Sequence, residues 1–170
     1  NYIERTVIKA IQNNIAIYAI HTNLDKIPQG VNRKIGQKIG LKNLQFLNSS
    51  NGEIGSGMIG ELSVAASEID FLNFIKKEFH PPFLKHTALL GGKVTQVAFC
   101  GGSGSFLLSD AIAQKADVFI SSDFKYHQYF DADNKILIID IGHYEAENCA
   151  KELIYDFLTK KFPTFTLHFS

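Results

Sequence analysis

Apolar residues along the chain follow two rhythms. In Ile15–Ile20, Val94–Phe99, Val118–Ser121 and Lys135–Ile141 they form nearly continuous, largely β-branched runs. Such runs predict strands buried on both faces. Elsewhere the spacing is helical. Tyr2–Gln12 puts Ile3, Val7, Ala10 and Ile11 on one face, and Val31–Ile39 is a short helix stopped by Gly40. Ser67 with Asp70 is close to a capping box, and opens a helix that runs to about Phe79 and ends before Pro81-Pro82. Further helices are predicted from about Phe106 to Lys115 and from about Tyr144 to Lys161. In the last, Ala146, Cys149, Ala150, Leu153, Ile154, Phe157 and Leu158 share a face. Leu44–Leu47 and Gly55–Leu62 read as strands, Phe83–Leu90 as an edge strand and Phe165–Phe169 as a last strand. Strands alternate with helices in the second half, which predicts an α/β fold with a largely parallel sheet there.

At 170 residues, one domain with a real core is expected. Lys+Arg and Asp+Glu are both 17, so there is no basic field and nucleic acid is not an expected partner. No apolar run is long enough to span a bilayer, and no signal-peptide pattern is present. Cys100 and Cys149 form no CxxC and match no zinc spacing; Cys149 falls on a core face, and a reduced, cytoplasmic compartment fits. The chain opens inside a helix-like stretch without an initiator Met, which leads us to expect upstream sequence.

Chemistry-bearing residues collect where the apolar runs end. His21 and Asp25 follow the first run, Asp123, Lys125 and His127 the third, and His143 and Glu147 the fourth. In open α/β sheets the C-terminal strand ends line the ligand crevice. His143 and Glu147 are four apart, so on a helix they share a face and can grip a divalent metal. A helix-start His with a surface Glu has the same spacing. After Val94–Phe99 comes Cys100-Gly101-Gly102-Ser103-Gly104-Ser105, then a helix start. Glycines permit close approach and a helix N-terminus attracts anions, so Gly101, Gly102, Ser103, Gly104 and Ser105 are candidate anion binders. Leu107 stands where a dinucleotide fingerprint needs its third glycine, and a tight strand-to-helix turn explains the stretch equally well.

Several segments occur in an order that is specific together: HTNLD (His21–Asp25), the turn Pro28-Gln29-Gly30-Val31-Asn32, GSGMIGEL, VAFCGGSGSF, SSDFKYH and DIGHYEAE. They resemble the NIF-three-like dinuclear metal-centre family, whose members go by GTP cyclohydrolase I type 2 homolog. The resemblance covers nearly the whole chain. It implies a single NIF-three-like domain over residues 1–170, with mixed sheets flanked by helices. It also implies two adjacent divalent ions (zinc, iron, manganese or magnesium) with Asp25, His143 and Glu147 as ligands and His21 as a weaker candidate. Glu147 would bridge the ions, and Asp140 could orient His143. The family's N-terminal His-His-Pro segment has no match here, so an incomplete metal set is expected. Residues 48–53 read as a short linker where longer relatives carry an inserted ferredoxin-like domain. The family also continues beyond its counterpart of FPTFTLHFS, and its members form toroidal hexamers. The implied activity is a dinuclear-metal-dependent hydrolase acting on a phosphorylated or nucleotide-like small molecule, with His21, His127 and Lys125 as catalytic candidates. The alternative is a non-enzymatic metal-binding scaffold or regulator forming a ring assembly. No residue selects guanine.

Overall fold

The computed structural model describes residues 1–49 and 51–169. Three of the continuous apolar runs form the parallel centre of the sheet, as β4 (Lys93–Ser103), β5 (Val118–Ser122) and β6 (Leu137–Asp140). On one side, β1 (Lys42–Ser49) pairs antiparallel with β2 (Gly55–Ser67), which pairs antiparallel with β4. The short β3 (Lys85–His86) closes the far edge against β6. The order is β1-β2-β4-β5-β6-β3. Successive side chains leave a strand on opposite faces. Val97, Phe99, Val118, Ile120, Leu137 and Ile139 therefore join one core layer with Ile35, Phe71 and Ile75. Ala98, Phe119 and Ile138 join the other with Leu107, Leu108, Ala111 and Phe124.

The first layer is covered by α3 (Val31–Ile39), α4 (Glu68–Phe79) and the partly buried residues of α7 (Cys149–Lys161). Gly40 ends α3 at φ +79°, a left-handed stop that costs glycine little. Ser67 Oγ caps α4 by accepting the Asp70 N–H at 3.1 Å. Asn1 caps α1 (Tyr2–Gln12) in a capping box with Glu4. Among the described residues no helix is long and apolar enough to cross a membrane.

Several sequence expectations need correction. Ile15–Ile20 is not a buried strand: no described strand pairs with it, and Ile15, Ile17 and Tyr18 are 61%, 63% and 84% exposed. β-branched residues favour a pleated surface only where a neighbour supplies ladder bonds and a packed face. Phe83–Leu90 is strand only at β3, although Thr87 N–H still reaches Ile138 O. Phe165–Phe169 is not a strand. It begins with a turn from Phe165 N–H to Phe162 O and ends with Phe169 stacked on Tyr155. The long C-terminal helix divides at Asn148 into α6 (His143–Glu147) and α7; Ala146 is buried, but Phe157 lies on the surface. The helix expected from Phe106 is a 3₁₀ turn, Ser105–Leu107, followed by α5 (Leu108–Ala113). Cys100–Ser103 are the end of β4 rather than a turn. Of residues 48–53, Asn48 and Ser49 belong to β1, Ser50 lies outside the described residues, and Asn51 Oδ1 accepts the Glu53 N–H.

Candidate metal centre

The site grows from the C-terminal ends of the parallel strands. β6 ends at Asp140, Gly142 turns the chain at φ +88°, and His143 starts α6. One turn on, Glu147 Oε1 lies 3.3 Å from His143 Nε2. The end of β4 runs directly beneath this pair. Gly102 has φ +65°, and a Cβ there would intrude on Glu147 Oε1 and stand 3.1 Å from His143 Nε2. Only glycine meets both the conformation and the close approach.

Asp25 comes from the other side, at the end of a single helical turn, α2 (Thr22–Asp25). Asn32 ties that turn to the sheet. Its side chain is fully buried, with Nδ2 donating to Asp25 O at 3.0 Å and Oδ1 accepting the Gly101 N–H at 2.9 Å. Burying an amide is tolerable because both its donor and its acceptor are used. Together these elements enclose a cavity of about 210 Å³ lined by His21, Asp25, Asn32, Gly101, His143 and Glu147, with Lys26 also at its wall. His21, Asp25 and Glu147 also border a neighbouring cleft of about 190 Å³ that takes in Lys151. A larger cavity, about 440 Å³, lies beside β3 and is lined by Thr87, Tyr129, Phe130 and Ile136. Among the described residues its ionisable side chains are Tyr129 and Asp133, so the smaller cavity is the better candidate.

The electrostatics of the small cavity favour a cation. Burial holds the Asp25 carboxyl above the usual carboxylate range, and the Glu147 charge adds to this; His21 and His143 pull the other way. Two carboxylates facing one cavity repel, and a cation between them would relieve both. His143 is held above the ordinary imidazole value, first by its hydrogen bond to Asp123, with burial opposing and Glu147 assisting. Cys100 also lines the cavity, but burial pushes its thiol up to about 12, so it offers no ready thiolate. In chemistry the donors suit a divalent ion: two carboxylates and an imidazole, with a second imidazole beside them. In number they fall short. Among the described residues no group of three His, Cys, Asp or Glu side chains could by itself hold a metal ion.

The residues singled out from the sequence separate into two groups. Asp25, His143, Glu147 and His21 meet at the one cavity, and Gly101 and Ser103 line it. Gly101 N–H is committed to Asn32, and the carbonyl of Gly102 accepts from the Ser121 and Ser122 hydroxyls at 2.9 and 2.6 Å. Gly104 O and Ser105 Oγ accept from Leu107 N–H and Gln128 Nε2. These bonds tie the glycine-serine stretch into the wall of the site. Lys125 and His127 do not line the cavity. They are exposed, around the start of the 3₁₀ segment Tyr126–Ala132, with the His127 ring edge-on to Tyr126. Among the described residues, the hydrogen bonds and ion pairs of His143 do not include Asp140. Asp140 is buried and accepts from Phe124 N–H, Tyr129 Oη–H and Gly142 N–H at 3.3, 3.2 and 3.1 Å. The carboxylate on His143 is Asp123, whose Oδ2 lies 2.5 Å from Nδ1. In the sequence Asp123 is one more polar residue at a strand end. Asn32 carries no signal beyond its place in the turn motif.

The chain matches known proteins over this whole region. It is 33% identical to a Nostoc sp. protein named GTP cyclohydrolase 1 type 2 homolog, over 94% of this chain and 60% of that protein. A Streptococcus pneumoniae protein of the same name is 32% identical over 81% of this chain and 53% of that one. The chain therefore spans between about half and three fifths of these relatives' length. The fold overlays on the Staphylococcus aureus hypothetical protein SA1388 with a TM-score of 0.84 at 28% identity, covering 91% of this chain and 64% of that one. A Bacillus cereus protein related to NIF3 has the same fold, with a TM-score of 0.84 at 19% identity, over 98% of this chain and 74% of that one. One family matches over residues 1–170. The chain belongs to the Duf34/NIF3 (NGG1p interacting factor 3) family.

Proposed function

We propose that this protein is a metal-dependent hydrolase of a phosphorylated or nucleotide-like small molecule, with Asp25, His143 and Glu147 as its share of a dinuclear site. The observation that carries this reading is the meeting of these three side chains at one cavity although Asp25 and His143 are far apart in sequence. Divalent ions held there would supply Lewis-acid polarisation of a phosphoryl or carbonyl oxygen and a nucleophile at neutral pH. The chain's own residues do the rest. Glu147 has two oxygens to offer and its Oε1 lies 3.3 Å from His143 Nε2, so it would be the ligand shared between the ions. His21 stands at the same wall and moves a proton through an imidazole nitrogen. Lys26 and Lys151, at the two clefts, offset phosphate charge. The relatives' shared name suits a nucleotide-like substrate.

The test is Glu147→Gln. The amide keeps the size and loses the charge and the second ligating oxygen. Titration with manganese is expected to show affinity reduced about tenfold or more, while the melting temperature of the metal-free protein stays the same or rises, since a repulsive charge is gone. Unchanged affinity would remove Glu147 from the site.

One observation favours a second reading, a non-enzymatic metal-binding scaffold in a ring assembly. Ile3, Ile8 and Ile11 of α1 are 57%, 52% and 74% exposed, and the exposed Ile15–Ile20 segment follows directly. So large an apolar surface suits burial in an assembly. A manganese-loaded protein that turns over no phosphate ester or nucleotide would favour it.

A further inference from the structure

We propose that Asp123 is a positioning residue, which fixes the direction and tautomer of the His143 ring so that Nε2 is the nitrogen offered to the cavity. The inference rests on the metal-centre reading for its purpose but not for its geometry.

A carboxylate oxygen accepts, and of the two carboxylates on the ring Asp123 is the closer, its Oδ2 2.5 Å from one nitrogen against 3.3 Å for Glu147 Oε1 from the other, so the Asp123 contact places the single proton of the neutral ring. The nitrogen beside Asp123 is Nδ1. In the neutral ring the lone pair then falls on Nε2, which faces Glu147 Oε1 and the Gly102 backbone. A ligand imidazole whose far N–H is held by a carboxylate is oriented and made more basic at the near nitrogen.

The holder is itself held. Asp123 sits at φ +59°, a left-handed conformation that Asp and Asn tolerate better than most residues. The residues on both sides are anchored. Ser121 and Ser122 give their hydroxyls to the Gly102 carbonyl, and Ser121 O accepts the Ile141 N–H. Phe124 N–H donates to buried Asp140. Three consecutive residues at the end of β5 thus reach both neighbours: Ser121 and Ser122 pin the glycine of β4, and Asp123 pins the histidine that follows β6. The Asp123 side chain is 53% exposed, so core packing does not explain it.

The experiment uses Asp123→Gly, because glycine keeps the left-handed backbone and removes only the carboxylate. Asp123→Asn is its rescue partner, since its side-chain oxygen still accepts from Nδ1–H. The first readout is the ¹⁵N spectrum of the His143 ring in metal-free protein, at a pH where the ring is neutral. Wild type and D123N are expected to hold the proton on Nδ1, and D123G to shift it toward Nε2, the form favoured by a free imidazole. The second readout is titration with zinc chloride, where D123G is expected to bind about ten- to a hundredfold more weakly than wild type, with D123N in between. A wild-type tautomer in D123G overturns the inference, whatever the zinc result. A shifted tautomer in a protein that binds no zinc even as wild type upholds the positioning of the ring and removes the metal reading instead. If D123G does not fold, Asp123→Ser, whose hydroxyl falls short of the ring, is judged by the same tautomer criterion.

Discussion

Gly102→Ala is expected to weaken manganese binding by about a hundredfold, more than any single change to the cavity's rim. The reason is geometric. The new methyl would occupy the space of Glu147 Oε1 and crowd His143 Nε2 at 3.1 Å. The backbone there is strand β4, whose Gly102 carbonyl is held by two serine hydroxyls, so it is the side chains that must move. Glu147 can swing away at little cost because its far end is flexible. That is why the effect falls on binding rather than on folding. Folding should still lose about 1–2 kcal/mol, the penalty for a Cβ at left-handed φ. Manganese titration and thermal unfolding separate the two effects. Wild-type affinity in G102A would mean that Glu147 and His143 need not stand where they do, and would break the link between this glycine and the site.

Asp140→Ala is expected to do the reverse, costing about 3 kcal/mol of stability with a much smaller effect on metal affinity. Asp140 is 4% exposed and accepts three hydrogen bonds. Without it, the buried Phe124 N–H and the part-buried Gly142 N–H lose their acceptor, and an unsatisfied buried donor costs roughly 1–3 kcal/mol. Tyr129 loses less, since its hydroxyl can turn to water. For a chain of this size the melting temperature should fall by about 6–12 °C. Asp140→Asn, which retains an acceptor, should recover part of the loss. A D140A protein as stable as wild type would mean that water replaces the carboxylate in full.

The contrast between Asp140 and Asp123 shows what the sequence could and could not convey. Val94–Phe99, Val118–Ser121 and Lys135–Ile141 announce themselves as central strands because their apolar residues run nearly without interruption, and a strand buried on both faces has few alternatives. The strand ends then follow, and with them the meeting of His143, Glu147 and Asp25. Which carboxylate holds His143 was not legible. Asp140 is nearer in the chain, but it shares parity with Ile136 and Ile138 and so points to the α5 side. Asp123 is twenty residues away and arrives only because β5 lies next to β6. Ile15–Ile20 fails differently: its composition is that of a core strand, yet composition cannot say whether a partner strand stands beside it. Lys125 and His127 follow a strand end as Asp123 does. Lys125 stands at the start of the 3₁₀ segment and His127 lies within it, and neither lines the cavity.

The proposed function stands on Asp25, His143 and Glu147 each contributing a ligand to a divalent-metal site. Anomalous diffraction from crystals soaked in manganese tests it most directly. Manganese density is expected in the cavity of about 210 Å³, within ligating distance of the Glu147 and Asp25 carboxylates and of His143 Nε2, at incomplete occupancy because the donors are few. Manganese bound only elsewhere, or a cavity still empty of it at saturating concentration, would rule out a metal site at these residues.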